Sequence, residues 1–476
     1  GMSGILAGIR LKQAGIKFKI LEKNDDLGGT WYENSYPGCR VDIANHFFCF
    51  SFYPNHEWSE HFAQQPEILN YFKQCAIDNQ ILDHIKFNTE VKKASYDEKK
   101  KMWMLEIKND SGEIEILKAN ILISAVGQLN RPKIPEFLGR KNFKGNQFHS
   151  SAWDHSQSLN GKRVGIIGTG ASAFQIVPRL AQDVEKLYVF QRSPSWMYPN
   201  PTYHEKVSKN KKWLLKKIPF YARWYRFLLF WPGSDGLMPS LIVDKDWKHQ
   251  ERSVNEMNDN QRKEFTKFIK DQIGDDELLL SRVLPTYPPF VKRILQDDGS
   301  WLRALQKNNV TLINENIKEI SSSSIVAGDN NYEVDIIIYA TGFHGTEFLS
   351  SFEVQGKQET TLSELWKDEP QAYLGITIPN FPNLFCLYGP ATNLAHAGTI
   401  IFNSECQVRY IMECIKYLVN HESQEIECKE KINIEYNSRL QKALSATVFS
   451  HTSADSWYKN SKGNVVTTSP WLLKDY

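Results

Sequence analysis

One stretch in the middle of the chain, RVGIIGTGASAFQIVPRLA from Arg163 to Ala181, restricts the fold more than any other. An apolar strand is followed by Gly168, Gly170 and Ala173 at GxGxxG/A spacing, and then by a helical pattern. Glycines at these steps let the backbone turn tightly and approach a pyrophosphate at a helix N-terminus. The stretch therefore predicts a complete strand–turn–helix unit that binds a dinucleotide.

The end of the next strand indicates which dinucleotide this unit binds. The strand KLYVFQR ends on Gln191 and Arg192. An arginine here offers charge-assisted hydrogen bonds to a 2′-phosphate, whereas an acid favours a free ribose hydroxyl. A solvated charge at a strand end is the alternative explanation of Arg192. We predict an NADPH site in this unit, formed by Gly168, Gly170, Ser172, Arg192 and Ser193.

The first residues of the chain look like the second half of a similar unit. Gly4 lies in an amphipathic helix, and the strand KFKILE ends on Glu22, an acid suited to ribose hydroxyls. In a GxGxxG pattern, Gly1 and Gly4 would be the second and third glycines. We therefore predict an FAD site here, and we expect a chain truncated at its N-terminus, without the first strand. An ordinary helix after a turn would give the same signature.

The two nucleotide-binding units predict an α/β fold with two dinucleotide-binding, Rossmann-like domains and a helical insertion in the NADP domain. A proline-marked exit follows the strand in NILISAVGQLNRPKIP, and strand patterns resume after a long helical stretch. The predicted order is FAD domain, first part (1–140); NADP domain, first part (150–195); helical insertion (196–285); NADP domain, second part (286–343); FAD domain, second part (344–476).

The composition narrows the class of protein and its partners. With 476 residues, 41% of them apolar, the chain has room for a large core. A net charge of +2 gives no indication of nucleic-acid binding. The seven cysteines form no CxxC pair and no metal-ligand spacing, so we expect reduced thiols, no metal and a cytoplasmic location. No apolar run has the length of a membrane span.

The most apolar segment, from Trp213 to Trp231, is interrupted by basic residues and a proline. Basic residues beside an aromatic face are compatible with a helix on a membrane surface, but we favour a packed helical subdomain. Its aromatic residues could line a lid over a substrate or fill an ordinary core, since both have the same apolar composition. They are Trp213, Phe220, Trp224 and Phe227.

Two longer motifs carry a family resemblance. FKGNQFHSSAWD fits FxGxxxHxxxW[P/D], with Phe143, Gly145, His149, Trp153 and Asp154 at the defined positions. GGTWYENSYPGCRVD fits [A/G]GxWxxxx[F/Y]P[G/M]xxxD, with Gly29, Trp31, Tyr36, Pro37, Gly38 and Asp42. Together they resemble the flavin-dependent Baeyer–Villiger monooxygenases over essentially the whole chain. Disulfide reductases also carry two nucleotide units, but they need a close cysteine pair that this chain lacks.

Within that family, the chain looks most similar to the 4-hydroxyacetophenone monooxygenase branch. The similarity lies in FYARWYRFLLFWPG, YPPFVKRILQDDGSWL and the tail WYKNSKGNVVTTSPW. The resemblance implies that Gly29, Trp31 and Asp42 border the FAD site. It also implies that His149 and Trp153 couple cofactor movement to the active site, although packing at a domain boundary would suit them equally.

The resemblance also assigns two adjacent cations. It implies that Lys292 turns towards the 2′-phosphate of NADPH and Arg293 towards the nicotinamide and a flavin peroxide, with Asp42 orienting Arg293. Alternate residues of an extended chain face opposite ways, so neighbouring cations can serve different ligands. Arg293 and Asp42 are the predicted catalytic residues, because an oxygen anion needs a fixed cation shielded from water.

The predicted function is the conversion of ketones, with aryl ketones favoured, to esters or lactones by FAD, NADPH and molecular oxygen. One alternative is a related enzyme that oxygenates sulfur or nitrogen, which does not need the deprotonated, nucleophilic form of the peroxide. Another is a truncated fragment without turnover. The sequence leaves the physiological ketone and the oligomeric state open.

Overall fold

The computed structural model describes residues 1–395 and 398–476. Its α-helices are α1 Met2–Gln13, α2 Thr30–Glu33, α3 Gln65–Asp78, α4 Ala171–Leu180, α5 Lys209–Lys217, α6 Tyr221–Phe230, α7 Glu256–Ile273, α8 Glu277–Val283, α9 Ser300–Leu305, α10 Leu362–Trp366, α11 Ile400–Asn420 and α12 Glu430–Ser445. Short 3₁₀ helices span Leu82–His84, Arg140–Asn142, Ser150–Ala152, Asp235–Leu241, Lys357–Glu359, Val448–Ser450 and Leu473–Asp475.

The strands alternate with these helices along the chain. They are β1 Ile20–Leu21, β2 Ile85–Lys86, β3 Glu90–Asp97, β4 Met102–Lys108, β5 Ile114–Ala119, β6 Leu122–Ser124, β7 Asn146–His149, β8 Arg163–Ile167, β9 Lys186–Phe190, β10 Met197–Pro199, β11 Leu295–Asp297, β12 Val310–Ile313, β13 Ile317–Ile320, β14 Ser324–Ala327, β15 Asn330–Glu333, β16 Ile336–Tyr339, β17 Glu353–Gln355 and β18 Leu384–Cys386.

Five strands of the described chain form one parallel sheet in the order β12-β9-β8-β16-β7. All four residues of β16 are buried, as expected of a strand covered on both faces. The last residue of β16, Tyr339, pairs with Ile167 on one side and with His149 on the other. The carboxyl ends of the predicted nucleotide strand and of the HxxxW motif strand therefore meet at the same sheet edge.

Helices α4 and α9 cover one face of this sheet. Phe174 of α4 and Trp301 of α9 stack with their ring centroids 4.1 Å apart. Both rings belong to a large buried cluster that includes Val164 and Ile166 of β8 and residues of α7. Stacked aromatic rings bury much apolar surface, so this contact fixes the second nucleotide unit against the segment that follows the insertion.

The N-terminal helix α1 lies in a second core. It packs against α3 and α11, and its buried side chains include Ile5, Leu6 and Ile9. Two parallel strand pairs, β1 with β2 and β6 with β18, border this core. A separate sheet of β17, β3, β4 and β5 contributes the buried Trp103 of β4 to a third core, where its indole nitrogen donates to the Pro382 carbonyl at 3.0 Å.

The helical insertion differs from our expectation in one part. Helix α7 packs into the main core through Phe265, Ile269 and Ile273, as expected of a packed subdomain. Helix α6, in contrast, contains no fully buried residue, and the described part of the chain leaves several of its aromatic rings exposed. Our expectation of a packed helical subdomain between Trp213 and Trp231 therefore holds for the inner face, where Leu229 and Phe230 pack against Phe47, and not for the outer face. Periodicity cannot show whether a second layer covers a helix.

Among the described helices, none combines the length and the apolarity that crossing a bilayer requires.

The Gly145 position of the FxGxxxHxxxW motif predicts a stability effect. A Cβ at this position would lie much closer to the Asp335 carbonyl oxygen and to the Phe143 ring than the van der Waals contact distance allows. Because the backbone oxygen cannot move aside cheaply, Gly145→Ala should lower the free energy of unfolding by about 1–3 kcal/mol. Denaturant unfolding followed by circular dichroism measures this. The exposed neighbour Lys144 supplies the control. Lys144→Ala should stay within about 0.5 kcal/mol, and equal losses in the two variants would contradict the close approach.

Candidate functional site

Arg293 and Asp42 form an ion pair in the interior of the site. Arg293 Nη2 donates to Asp42 Oδ2 at 2.7 Å, and Nη1 donates to the Leu394 carbonyl at 3.0 Å. The two charged side chains are 28% and 32% exposed. Asp42 is the main cause that raises the pKa of Arg293 above its usual value, against the opposing effect of burial. A guanidinium held by two fixed acceptors keeps its charge and its orientation.

Strained backbone surrounds this pair. Phe290, three residues before Arg293, has φ +73°, and Tyr388 and Ala391 in the loop that carries Leu394 have φ +58° and +56°. Such values are uncommon for bulky residues, and they cluster where a fold holds functional groups in a required direction. The strain lies in both loops that position the guanidinium. We therefore place the centre of the site here.

Two tyrosines that the sequence analysis did not single out flank the ion pair. The charges of Arg293 and Asp42 act on the phenols of Tyr388 and Tyr458. Burial is the main cause that raises the pKa of each phenol above its ordinary value, so both hydroxyls remain protonated. Tyr458 lies in the tail segment that carried the family resemblance, but the pattern of the tail indicated no chemistry for it.

The polar atoms beside these tyrosines include two free donors. Tyr388 donates to Asn393 Oδ1 at 2.7 Å. The Tyr458 hydroxyl and the Asn393 side-chain nitrogen are buried and have no hydrogen-bond partner among the residues that the structure describes. Because buried donors are normally paired, these two are available to a bound ligand.

The second nucleotide unit has the geometry that the sequence predicted. Gly168 follows β8 with φ +107°, and Gly170 immediately precedes α4. A Cβ on Gly170 would meet no described atom within 4 Å, so space lies open over the beginning of the helix. Ser172 stands in the first turn of α4 and is partly buried. Bare backbone at a helix N-terminus beside open space fits a pyrophosphate.

Two cations lie beside this turn. Lys292 Nζ donates to the Ser193 hydroxyl at 2.6 Å. Burial, and next the charge of Arg192, lower the pKa of Lys292. Arg192 itself is exposed at the end of β9. Two like charges held close together, with Asp455 as the acid that acts on Lys292, make a site that favours a further anion.

The first nucleotide unit brings its predicted residues together in the same way. The nitrogen of Gly1 lies 3.5 Å from Glu22 Oε2, and α1 begins at Met2. A Cβ on Gly29 would come within 2.8 Å of the Gly1 Cα, so the two backbones run side by side. Gly4 is buried in the first turn, facing Ala125. An acid beside bare backbone at a helix N-terminus suits the ribose and pyrophosphate of a dinucleotide.

Trp31 and Asp42 connect this unit to the ion pair. Trp31 lies in α2, the helix that begins directly after Gly29. Its ring packs edge-on against the Phe48 ring, with centroids 5.7 Å apart. Its carbonyl accepts a hydrogen bond from the side chain of Gln65 at the beginning of α3. The GGxW end of this motif thus lies at the N-terminus of α1. The aspartate at its other end, Asp42, pairs with Arg293.

The FxGxxxHxxxW motif forms a joint around β7. Phe143 is buried against Ile167 and Tyr339, and Gly145 lies against the Asp335 carbonyl. His149 ends β7, where its Nδ1 accepts from the Ser151 backbone nitrogen at 3.1 Å.

Both ring nitrogens of His149 are committed to structural bonds. Because Nδ1 accepts from Ser151, Nε2 carries the proton and donates to the Gly342 carbonyl at 3.0 Å. Burial lowers the pKa of His149, which keeps the ring neutral. This arrangement suits a positioning residue that ties β7 to the loop after β16, and not a general base.

The last two motif residues lie close by. The Trp153 ring is partly buried and packs edge-on against Phe148 of β7 at 5.1 Å. Asp154 accepts from the Ser156 hydroxyl at 2.6 Å and from its backbone nitrogen at 3.0 Å, which closes a turn. These bonds lower the pKa of Asp154. Trp153 thus places its ring on the strand that ends with His149.

Comparison with known proteins agrees with this geometry. The family model for flavin-binding monooxygenase-like proteins matches residues 1–208. The uncharacterized monooxygenase y4iD of Sinorhizobium fredii is 39% identical over 478 aligned positions, which cover 100% of this chain and 72% of that protein. A Baeyer–Villiger monooxygenase of Pseudomonas aeruginosa is 35% identical, with 96% of this chain and 84% of that protein covered.

Solved structures share the whole fold. A crystal structure of OTEMO in complex with FAD and NADP has a TM-score of 0.87 and 27% identity, and the match covers 100% of this chain and 94% of that one. Cyclohexanone monooxygenase from Rhodococcus bound to NADP⁺ has a TM-score of 0.83 and 26% identity over the same shares. Given these matches and the relatives above, the chain belongs to the flavin-binding monooxygenase family, among the Baeyer–Villiger monooxygenases.

Proposed function

We propose that this protein converts ketones to esters or lactones with NADPH and molecular oxygen, as a flavoprotein that uses FAD. The observation that carries the proposal is the Arg293–Asp42 ion pair, a fixed cation in a partly buried position between the two nucleotide units. The names of the relatives and the bound cofactors of the structural neighbours support it. We also propose the domain boundaries given by the sequence.

The residues of the chain fit both cofactors. Gly1, Gly4, Glu22, Gly29 and Trp31 would hold FAD, because they place bare backbone and an acid at the N-terminus of α1. The open space over Gly170, with Ser172, Arg192, Ser193 and Lys292 beside it, would hold NADPH. Once bound and reduced by NADPH, FAD supplies the electrons that activate oxygen.

Arg293 stabilises the negative charge that develops on oxygen beside the ketone. Asp42 and the Leu394 carbonyl fix its guanidinium, so no reorganisation is needed when the charge appears. The unpaired hydroxyl of Tyr458 is in the same buried region and can donate to a carbonyl oxygen. We assign Asp42 as the positioning partner, and His149 and Trp153 as the joint that sets how the two cofactor sites face each other.

We also propose a substrate class, a branch of the family and a location. An aryl ketone and the 4-hydroxyacetophenone branch are supported by the aromatic-rich insertion and the tail motif. A lid formed by Trp213, Phe220, Trp224 and Phe227 has no support in their position, because all four side chains are exposed to solvent. The seven free thiols suit a cytoplasmic location.

A product assay tests the reaction type. The purified holoenzyme, NADPH and oxygen should convert an aryl methyl ketone to its ester, detected by gas chromatography, because the fixed cation favours a nucleophilic oxygen anion over an electrophilic oxidant. An aryl methyl thioether, supplied at the same concentration, serves as the competing substrate. Sulfoxide without ester would overturn the ketone assignment. The loss of NADPH without any oxygenated product would indicate a chain without productive turnover.

Replacing Arg293 should separate the two halves of the reaction. Hydride transfer depends mainly on the two nucleotide sites, whereas oxygen transfer needs the cation, so Arg293→Ala should retain FAD and its reduction by NADPH. Ester formation should fall by roughly a hundred- to a thousandfold. Asp42→Ala should show a milder loss, and the double variant should lose less than the product of both effects. Rapid-mixing absorbance follows flavin reduction, and chromatography counts the ester. Wild-type ester formation by Arg293→Ala would refute the assignment.

Cofactor choice should depend on Arg192. Removing its charge-assisted hydrogen bonds to a 2′-phosphate costs about 1.5–3 kcal/mol, so Arg192→Ala should weaken NADPH binding by roughly ten- to a hundredfold. NADH has no 2′-phosphate and serves as the internal control. Titration of both cofactors against intrinsic fluorescence measures the affinities. Equal weakening of NADPH and NADH would show that Arg192 does not contact the phosphate.

A further inference from the structure

The exposed part of the helical insertion has an unusual charge. Between residues 206 and 234 the sequence contains no aspartate or glutamate. The same segment contains eight basic residues: Lys206, Lys209, Lys211, Lys212, Lys216, Lys217, Arg223 and Arg226. The chain as a whole is nearly neutral, with a net charge of +2. The α5–α6 hairpin, residues 209–231, is therefore a local concentration of positive charge.

The outer face of α6 carries a stripe of large apolar side chains. Trp224, Phe227, Leu228 and Trp231 follow each other at helical spacing and are all between 43% and 58% exposed. Three of them form a continuous aromatic surface, since Phe227 stacks with Trp224 at 5.4 Å and with Trp231 at 6.2 Å. In a surface helix, an apolar stripe normally packs against the core of the protein. Here it turns towards solvent.

The turn between the two helices extends this face. Phe220 is 76% exposed and has φ +62°, a left-handed conformation that is costly for an aromatic residue. Trp213 of α5 and Ile218 are exposed beside it. The Phe220 ring, 6.0 Å from the Arg223 guanidinium, is thus held in a strained turn with most of its surface in water.

The inner face of the hairpin is firmly attached to the protein. Arg226 donates to the carbonyls of His46 and Cys49, at 3.1 Å in each case. The Tyr225 ring packs edge-on against the His46 ring, with the ring centroids 5.4 Å apart. Because these contacts hold the hairpin in place, its exposed stripe is a fixed surface.

The remaining cations lie on the same hairpin as the stripe. Lys212 and Lys216 approach Glu57, whereas Lys209, Lys217 and Arg223 are exposed and form no ion pair with any described residue. Unpaired cations beside exposed aromatic rings generate a positive potential at the edge of an apolar face. The surface therefore combines apolar contact with attraction for anions.

We propose that the outer face of the α5–α6 hairpin docks on the surface of an anionic phospholipid bilayer. Tryptophan and phenylalanine rings insert at the level of the lipid head groups, and the lysines and Arg223 contact the phosphates. A second copy of the chain is disfavoured as the occupant, because a two-fold contact would bring like charges together. Docking adds a membrane location to a chain whose described helices do not span one.

Docking would bring the lipid surface near the proposed reaction site. On the inner side of α6, Leu229 and Phe230 pack with Phe47 and Leu394. The Leu394 carbonyl accepts the hydrogen bond from Arg293. An apolar ketone dissolved in the bilayer would thus be close to the site, and this step alone rests on the proposed function.

Vesicle sedimentation tests the docking. The holoenzyme should pellet with sucrose-loaded vesicles that contain 30 mol% phosphatidylglycerol in phosphatidylcholine, and should pellet at least about tenfold less with phosphatidylcholine alone. Salt at about 0.5 M should abolish most of the difference because it screens surface charge. Binding to neither vesicle, or equal binding to both at all salt concentrations, would overturn the proposal.

Three variants localise the contact. The double variant Trp224→Ser/Phe227→Ser and the triple variant Lys209→Glu/Lys217→Glu/Arg223→Glu should each reduce pelleting by roughly tenfold or more. Ile114→Ser/Ile116→Ser is the matched control, since both isoleucines are exposed on β5, away from the hairpin. Undiminished pelleting of the two hairpin variants, or equal loss in the control, would refute the hairpin as the contact.

Phe220→Gly separates docking from structure. Glycine relieves the strained φ, so this variant should unfold at an equal or higher temperature while it pellets less. A lower unfolding temperature with unchanged pelleting would show that Phe220 serves the fold and would contradict its place in the docking face. Sedimentation velocity without vesicles identifies self-association, and a dimer lost in the Trp224→Ser/Phe227→Ser variant would assign the face to a second copy. NADPH oxidation with a water-soluble ketone, measured without vesicles, checks the proposed function independently of docking.

Discussion

The ion pair between Arg293 and Asp42 is the interaction on which the site depends. Its partners are 251 positions apart, one in the loop after the helical insertion and the other in the motif that borders the first nucleotide unit. The pair therefore forms only when both nucleotide units and the insertion are folded and correctly placed. The second contact of Arg293, to Leu394, brings the C-terminal part of the chain to the same point. The guanidinium of Arg293 thus connects three separate segments of the chain: its own loop, the motif with Asp42 and the loop with Leu394.

The HxxxW joint ties β7 to the loop after β16. Both ring nitrogens of His149 form hydrogen bonds. The bond to Gly342 ties β7 to the loop after β16, at the carboxyl edge of the parallel sheet. Gly145 permits the close approach to Asp335 that lets β7 reach that edge. Both residues thus position the strand, and we propose Arg293 and the nearby phenols as the groups that serve the chemistry.

The helical insertion serves two physical tasks. Its α7 completes the core around Phe265, whereas the α5–α6 hairpin presents aromatic rings and unpaired cations outward. Both parts have amphipathic sequences. They differ in what covers them: other segments pack over α7, whereas no described residue buries the outer face of α6. The same insertion connects the outer face, through Leu229 and Phe230, to Leu394.

The sequence by itself determined the local units. Glycine spacing and apolar strands predicted the turn between β8 and α4, and the motif resemblance predicted the pairing of Arg293 with Asp42, because such features depend on neighbouring residues or on long fixed patterns. The tertiary structure alone decided what depends on distant contacts. It placed Tyr388 and Tyr458 beside the ion pair, left the Tyr458 hydroxyl and the Asn393 amide unpaired among the described residues, and exposed α6. A pattern of apolar residues gives the period of a helix, but what covers its apolar face is settled only by the packing of remote segments.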